Sequence, residues 1–276
     1  MIYLRKFSIP EGSSGKEKHR LEHEAGLLLL ADALKLECGL ELMKTAGLEW
    51  AAGVEAGPAA GSAAAQTGHR NAASLSAVEA EIAKDEKGKP YLLHHPEIHF
   101  NISHGGDMAV CAVGSQALGA DVEKIRPARR SIIKKMLTDR EQKHLESCRE
   151  EEIDREFFRF WTLKESYAKA LGIGLGLDFG GVEFTLPLLN FQSSPGPSFP
   201  SFFSENENES ESEKGNLASG GTDGEITLGF VEKAPEKMES GGLTRDDRWH
   251  FSQRIWEGEY VISFCGREKC EEFRMI

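Results

Sequence analysis

The segment Phe157–Lys169 constrains the fold more than any other part of the sequence, because it has the pattern of a long amphipathic helix. Its apolar side chains recur every three or four residues, the spacing of one helix face: Phe160, Leu163, Tyr167 and Leu171. Asp154 precedes the segment and is predicted to be its N-cap. Three glycines follow and are predicted to end the helix: Gly172, Gly174 and Gly176. Such a helix requires a core to pack against.

A neighbouring face of this helix carries chemical groups one turn apart. Glu165 follows Trp161 by four residues, and Lys169 follows Glu165 by four. A carboxylate beside an indole and in line with an ammonium suits a metal ligand or a base next to a phosphate-binding cation. The alternative is a surface ion pair, which stabilises a helix by about 0.2–0.5 kcal/mol. This pattern alone leaves both interpretations open.

Composition narrows the class of protein. A chain of 276 residues is long enough for one large or two small domains. Its net charge of −12 argues against a general nucleic-acid binder, because neutralising a phosphate backbone needs clustered cations. A small phosphate-bearing ligand held by a few local lysines remains compatible with this charge.

The cysteines and the apolar segments point to a reducing compartment. The five cysteines form no Cys-x-x-Cys pair, which argues against a disulfide or zinc framework. Cys111 and Cys265 lie in apolar runs and are predicted to be core residues. Met1–Pro10 lacks the apolar region of a signal peptide, and Leu27–Ala31 is too short to span a bilayer. We expect a cytoplasmic protein without a membrane partner.

Strand and helix patterns alternate along the chain. We predict strands at Ile2–Phe7, Ile98–Ile102, Met108–Val113, Leu118–Val122, Val182–Leu186, Ile226–Val231, Trp249–Ile255 and Tyr260–Cys265. After a loop at Glu11–Lys18, a helix is predicted from Arg20 to about Met43, and Thr138 and Glu141 form a capping box for another.

Two segments have the composition of inserts. Ala46–Ala77 is rich in Ala and Gly, and is predicted to be flexible or loosely helical. Leu188–Gly224 is rich in Ser, Pro and Gly and then alternates acidic with polar residues. It cannot bury enough apolar surface to offset its ordering entropy, so we predict disorder there.

Two loops carry groups that suit phosphate. A turn at Gly88-Lys89-Pro90 fixes one lysine on rigid backbone. A predicted strand then leads into Ser103-His104 and two glycines, so a hydroxyl and an imidazole stand where a ligand can approach. A purely structural turn is the alternative. Three early basic residues are further candidates for phosphate contacts: Lys16, Lys18 and Arg20.

A pair of carboxylates lies at the end of one predicted strand. Asp121 and Glu123 are two residues apart, so both face the same side of the strand. With a third carboxylate from elsewhere they would form a good magnesium site. The alternative is a solvent-facing strand edge.

Four of these motifs occur in an order that resembles one enzyme family. Together they look like the motifs of the Sfp-type 4′-phosphopantetheinyl transferases, and they are Gly88–Pro90, Phe100–His104, Gly119–Glu123 and Trp161–Lys169. The resemblance runs from Gly88 to about Phe184 and is weaker on either side. The resemblance implies a pseudo-dimeric α+β fold, in which two similar halves hold coenzyme A in the cleft between them. We expect an N-terminal half at residues 1–114, with the insert at about 46–77. The C-terminal half, residues 115–276, contains the insert at about 188–224.

The resemblance also implies an activity. The family transfers the 4′-phosphopantetheine group from coenzyme A to a serine of an apo acyl or peptidyl carrier protein, depends on Mg²⁺ and releases 3′,5′-ADP. Coenzyme A is then a substrate, Mg²⁺ the cofactor and the carrier protein the partner. No nucleic-acid partner is implied. Two homologous halves in one chain would make a monomer sufficient.

Site residues are assigned by their positions in the motifs. Matches to the magnesium ligands of the family are Asp121, Glu123 and Glu165. Matches to residues that hold the nucleotide and its 3′-phosphate are Lys89, Ser103 and His104. Lys169 matches the lysine at the pyrophosphate, and the neighbouring Lys164 is also assigned to cofactor binding. We expect the catalytic groups to be Asp121, Glu165 and Lys169.

The chemistry leaves several alternatives open. Glu165 is the candidate base for the carrier serine, either directly or through a water. A metal-dependent phosphohydrolase acting on a nucleotide-like substrate would also use three carboxylates, but would need no carrier protein. A catalytically silent binding module would show no metal dependence.

A basic cluster follows the paired carboxylates and is the candidate docking surface for an acidic carrier. Its cations are Arg126, Arg129, Arg130, Lys134 and Lys135, and its apolar residues are Ile132, Ile133 and Met136. A solvated helix face is the alternative.

Overall fold

The computed structural model describes residues 1–42, 75–186, 226–231, 243–245, 248–270 and 272–276. The predicted insert Leu188–Gly224 lies outside these ranges. Of the predicted insert Ala46–Ala77, only residues 75–77 are described, and they belong to a helix at residues 75–80. In the ranges given, no helix combines the length and the apolar composition that a membrane span requires.

The described chain mixes helices and strands. The strands are β1 (Ile2–Lys6), β2 (Ile82–Lys84), β3 (Pro90–Leu92), β4 (His99–Gly105), β5 (Met108–Gly114), β6 (Leu118–Lys124), β7 (Val182–Thr185), β8 (Thr227–Val231), β9 (Leu243–Arg245), β10 (His250–Trp256), β11 (Tyr260–Gly266) and β12 (Phe273–Met275). The helices are α1 (Gly15–Cys38), α2 (75–80), α3 (Arg130–Met136), α4 (Asp139–Glu146) and α5 (Ile153–Leu171). An α+β fold class is therefore confirmed.

Two sheets have the same internal order. In the first, β1 pairs with β5, and β5 pairs with β4, both antiparallel. In the second, β6 pairs with β11, and β11 pairs with β10, again antiparallel. In each sheet the first strand is followed along the chain by a long helix, α1 or α5. A hairpin follows the helix, and the second strand of the hairpin pairs with the first strand of the sheet. The last strand, β12, joins the first sheet parallel to β1.

Three apolar clusters hold these layers together. One lies between α1 and the first sheet, and includes Leu30, Leu34 and Phe100. A second packs α5 on the second sheet and reaches β7. The third lies between the two sheets and contains residues of both, including Ile2, Leu4, Val110, Val122 and Ile262. The two sheets also meet where β4 contacts β6, and there the Ala120 N–H donates to Oδ1 of Asn101 at 2.8 Å.

A smaller sheet consists of β7, β8 and β9. Its antiparallel β7–β8 pair ends with Thr185 beside Thr227. Residues 186–226 therefore connect two points that are already neighbours in a ladder.

Helix boundaries differ from the sequence prediction in three places. Helix α1 ends at Cys38, before the left-handed backbone of Gly39, and not at about Met43 as predicted. The predicted loop Glu11–Lys18 is wrong in its second half, because α1 begins at Gly15, where the side chain of Ser14 accepts a hydrogen bond from the Glu17 N–H. The predicted N-cap Asp154 is also wrong. Helix α5 begins at Ile153, and the Asp154 carboxylate accepts a hydrogen bond from the Ala128 N–H at 2.9 Å.

Other boundaries agree with the prediction. Helix α5 ends before Gly172, which has a left-handed backbone, and the capping box at Thr138 is present. Every predicted strand begins within one residue of its observed start. The loop predicted at Ser103-His104 is instead the end of β4, which stays paired with β5 as far as Gly105.

Candidate active site

The site is built where α5 lies directly on β6. A Cβ atom at Gly119 would stand 2.2 Å from the backbone oxygen of Ser166, so only glycine allows the helix to approach this closely. Asp121 is two residues further along β6 and faces the same side. Lys169 projects from the facing part of α5. The close contact at Gly119 therefore brings an ammonium and a carboxylate together.

Three predicted site residues form a tight polar triangle. The Nζ of Lys169 lies 2.6 Å from Oδ1 of Asp121 and donates to Oγ of Ser103 at 2.7 Å. The Ser103 hydroxyl donates in turn to Oδ1 of Asp121 at 2.8 Å. Asp121 is only 5% exposed, so this pairing is largely withdrawn from solvent. The triangle joins β4, β6 and α5, and thereby both sheets.

The other predicted carboxylates line the same pocket. Its volume is about 250 Å³, and its walls are Ile102, Ser103, His104, Asp121, Glu123, Trp161, Glu165 and Lys169. Burial raises the pKa of Glu165, and the nearby charges of Asp121 and Glu123 raise it further against the opposing effect of Lys169. Burial also raises the pKa of Glu123, although its hydrogen bond from Arg126 opposes this. The three carboxylates therefore repel one another, and Lys169 and Arg126 compensate their negative charge only in part.

The pocket fits a divalent cation in charge and in type of donor. Oδ2 of Asp121 is buried and accepts no hydrogen bond from the described residues. Carboxylate oxygens are the ligands that Mg²⁺ prefers. Within the described part of the chain, however, no three His, Cys, Asp or Glu side chains are already gathered around one point. The magnesium assignment of Asp121, Glu123 and Glu165 therefore stays a prediction, with Lys169 occupying Asp121 in this arrangement.

His104 stands at the opposite wall, next to α1. Its Nδ1 lies 3.5 Å from Oε2 of Glu22, and its ring makes an edge contact with the ring of His19, centroid to centroid 6.4 Å. Burial lowers the pKa of His104, while Glu22 raises it. The sequence analysis did not select Glu22. The available signal was an acidic residue beside Leu21 and one turn before Ala25 and Gly26, in the stripe that faces the core.

The early basic residues make local ion pairs. Lys18 lies 3.6 Å from Glu22, and Arg20 lies 2.5 Å from Glu24, each one turn along α1. Arg20 is thus on an exposed face, whereas Lys18 is beside the wall that His104 forms.

Lys164 does not line the pocket, and its assignment to cofactor binding stays a prediction. Its side chain is fully buried, with Nζ 2.6 Å from Oε2 of Glu141. It also donates to the backbone oxygens of Met136 and Phe179, at 2.8 and 2.7 Å. Adjacent residues of a helix point about 100° apart, so Lys164 faces the core while Glu165 faces the pocket. Lys164 ties α5 to the segments around it.

Lys89 lies outside the pocket walls as well. Its Nζ donates to the backbone oxygens of Leu118 and Ala170, at 3.2 and 2.9 Å. Burial lowers the pKa of this lysine. In this arrangement Lys89 joins the start of β6 to the end of α5, and its role in holding a nucleotide stays a prediction.

The basic cluster begins at the pocket and continues onto α3. Arg126 Nη1 lies 2.7 Å from Oε2 of Glu123, and its guanidinium stands over the ring of Phe158. Helix α3 has no buried residue, and Ile132 is 38% exposed. The cluster is therefore a surface that adjoins the pocket.

Known proteins match the part of the chain that contains β6 and α5. Residues 117–214 match the family model described as the 4′-phosphopantetheinyl transferase superfamily. A 4′-phosphopantetheinyl transferase from Bacillus subtilis is 38% identical over 112 residues, which are 37% of this chain and 50% of that protein. The 4′-phosphopantetheinyl transferase Sfp of Bacillus subtilis (strain 168) is 36% identical over 103 residues, 37% of this chain and 46% of that protein.

A human protein matches over a similar length. The L-aminoadipate-semialdehyde dehydrogenase-phosphopantetheinyl transferase of Homo sapiens is 38% identical over 124 residues, 40% of each chain. The chain thus matches about half or less of the length of these curated relatives. The Sfp-type resemblance of its motifs is confirmed by these matches, which show that residues 117–214 are similar to the 4′-phosphopantetheinyl transferase superfamily.

Proposed function

We propose that this protein transfers the 4′-phosphopantetheine group of coenzyme A to a serine of an apo acyl or peptidyl carrier protein and releases 3′,5′-ADP. The observation that carries the proposal is the triangle of Asp121, Lys169 and Ser103, which shares one pocket with Glu123 and Glu165. These residues belong to the elements that match the family or lie directly beside them.

The transfer requires one bond to form and one to break. The serine oxygen of the carrier attacks the phosphorus that bears the pantetheine group, and the bond from that phosphorus to the 3′,5′-ADP oxygen breaks. The serine proton must go to a base. Glu165 is the candidate base, directly or through one water, because burial and neighbouring carboxylates raise its pKa in the metal-free protein. A Mg²⁺ ion on the same carboxylate would lower its basicity and favour the route through water.

Charge develops on the leaving oxygen, and the pocket offers compensation. The ammonium of Lys169 is held at the triangle, where it can meet a pyrophosphate. Asp121, Glu123 and Glu165 would hold Mg²⁺. When bound, the ion would neutralise the pyrophosphate and stabilise the leaving group.

The repeated sheet order supports a pseudo-dimeric arrangement of the chain. The β1–α1–β4–β5 series and the β6–α5–β10–β11 series give sheets of the same order, with the change of half near residues 114 and 115. The pocket lies at the seam where β4 meets β6. One chain then contains both halves of the site, so we propose that it works as a monomer.

The carrier protein and the compartment belong to the same proposal. The exposed cluster on Arg126 and α3 adjoins the pocket and suits an acidic carrier. The free thiols of all five cysteines fit a reducing compartment, and we propose the cytoplasm.

The proposal is tested by following coenzyme A with and without its acceptor. The protein is incubated with coenzyme A and MgCl₂, and 3′,5′-ADP is measured by chromatography. Release that requires apo carrier protein supports transfer. Release at the same rate without carrier would instead identify a phosphohydrolase, and no release under either condition would indicate a silent binding module.

A further inference from the structure

Helix α1 packs against β4 at a glycine. A Cβ atom at Gly26 would stand 2.7 Å from Cγ2 of Ile102. Glu22 lies one helical turn before Gly26, and His104 lies two residues after Ile102 on the same face of the strand. The close contact at Gly26 therefore places the Glu22 side chain beside the imidazole of His104.

The carboxylate of Glu22 is buried in this contact. The residue is 9% exposed, and its Oε2 lies 3.5 Å from Nδ1 of His104. Its other oxygen lies 3.6 Å from Nζ of Lys18, whose side chain remains nearly half exposed. Burying a carboxylate is costly unless charged or donor groups compensate it. The apolar packing of α1 gives no reason for a glutamate here, whereas the contact with His104 does.

We infer that Glu22 is a positioning residue that holds the ring of His104 by Nδ1, so that Nε2 is presented to a phosphate monoester in the pocket. This inference rests on the proposed function, in which that phosphate is the 3′-phosphate of coenzyme A.

The arrangement needs a ring that donates from both nitrogens. An imidazole that donates from Nδ1 to Glu22 offers a second donor at Nε2 only when it is protonated. Glu22 and Asp121 favour the protonated ring, whereas burial, Lys169 and His19 oppose it. A bound phosphate would add negative charge beside Nε2 and so favour the protonated ring further. The imidazolium would then stand between two anions and screen the carboxylate from the phosphate.

The test compares two ligands that differ only in this phosphate. Binding of coenzyme A and of dephospho-coenzyme A is measured by calorimetry for the wild type, Glu22→Gln and the matched control Glu24→Gln, whose residue lies on the same helix and pairs with Arg20. Glu22→Gln should weaken the binding of coenzyme A about tenfold, the order expected when one charge-assisted hydrogen bond to the 3′-phosphate is lost. The affinity for dephospho-coenzyme A should stay unchanged. Glu24→Gln should bind both ligands as the wild type does.

Two further measurements separate positioning from general structure. In a His104→Ala background, Glu22→Gln should cause no additional loss of coenzyme A affinity. In the wild type saturated with coenzyme A, the ¹⁵N spectrum of the His104 ring should show protons on both nitrogens. This second measurement needs no variant to fold.

Specific results would overturn the inference. They are an equal loss for both ligands in Glu22→Gln, a full loss that persists without His104, or an unprotonated Nδ1 in the bound wild type. A wild type that binds neither ligand would overturn the proposed function itself, and the inference with it.

Discussion

Lys169 holds Asp121 by one oxygen only: its Nζ lies 2.6 Å from Oδ1, while Oδ2 stays buried and accepts no hydrogen bond from the described residues. A buried carboxylate with one unused oxygen is costly in a structural ion pair. Beside it, Glu123 and Glu165 add further negative charge. The pocket is therefore arranged to bind a cation, and the protein without that cation is less stable for it.

The first prediction follows from this charge. The pKa of Glu165 is raised in the folded state, so the group contributes its full stability below its ordinary pKa, and that contribution is lost as pH rises through the raised pKa. Glu165→Gln removes the charge and should raise the Tm of the ligand-free protein at pH 7. For a chain of this size, each 1 kcal/mol of added stability raises Tm by roughly 2–4 °C.

The pH dependence provides the control for this change. The gain in Tm should shrink as the pH falls below the raised pKa, because the wild-type glutamate is then also neutral. Glu86→Gln, at an exposed position, should leave Tm unchanged both at pH 7 and at the lower pH. A lower Tm for Glu165→Gln at pH 7, measured calorimetrically with chelator present, would contradict this account of the pocket.

The second prediction concerns His104, which lines the pocket on the α1 side. His104→Ala should weaken coenzyme A by roughly tenfold and leave dephospho-coenzyme A nearly unchanged, because one charge-assisted hydrogen bond to the 3′-phosphate is lost. Competition binding with both ligands measures this ratio. His94→Ala is the matched control, since His94 is exposed and does not line the pocket. Equal weakening of both ligands would remove the 3′-phosphate role.

The third prediction concerns the contact of β6 with α5. Gly119→Ala places a methyl group 2.2 Å from the Ser166 oxygen, so the helix must move away. Overpacking of this kind costs typically 1–3 kcal/mol, and it should also separate Lys169 from Asp121. Denaturant unfolding should show the loss of stability. Gly15→Ala, which meets open space, should leave the unfolding midpoint near that of the wild type, and unchanged stability of Gly119→Ala would refute the close contact.

The fourth prediction concerns the basic cluster on α3. Reversing Arg129 and Arg130 to Glu should raise the KM for the carrier protein and leave the KM for coenzyme A unchanged, because both residues are exposed and outside the pocket walls. The wild-type KM for carrier should rise with salt, and that of the double variant should respond less. Steady-state kinetics at two salt concentrations measure both effects. Unchanged carrier kinetics at low salt would mean that docking lies elsewhere.

Much of the site could be predicted from the sequence because its residues sit on regular elements. Asp121 and Glu123 share a strand face, and Glu165 and Lys169 share a helix face, so spacing alone pairs them. The two pairs come together because Gly119 lets α5 lie directly on β6. The strand starts were equally accessible, since each follows a polar or glycine-containing segment.

The contacts that the sequence did not predict are those whose partner residue is distant in the chain. Lys164 has the same local pattern as its neighbours, but its partner Glu141 lies on α4, and only the tertiary fold turns the lysine inward. Lys89 likewise meets carbonyl groups of β6 and α5 rather than the pocket. Glu22 was overlooked because an acidic residue in a long helix is ordinarily on its exposed face. Asp154 was mistaken for an N-cap because its acceptor role toward Ala128 is set by a loop 26 residues away.

The most direct test of the central claim is the intact mass of an apo carrier protein after incubation with this protein, coenzyme A and Mg²⁺. The account predicts that the wild type adds one 4′-phosphopantetheine group to each carrier, and that a carrier without its acceptor serine gains nothing. Asp121→Ala, Glu123→Ala and Glu165→Ala should each lose most of this activity while remaining folded, and combining them should add little, because they serve one shared centre. An unmodified carrier with the wild type, or full modification by Glu165→Ala, would contradict the account.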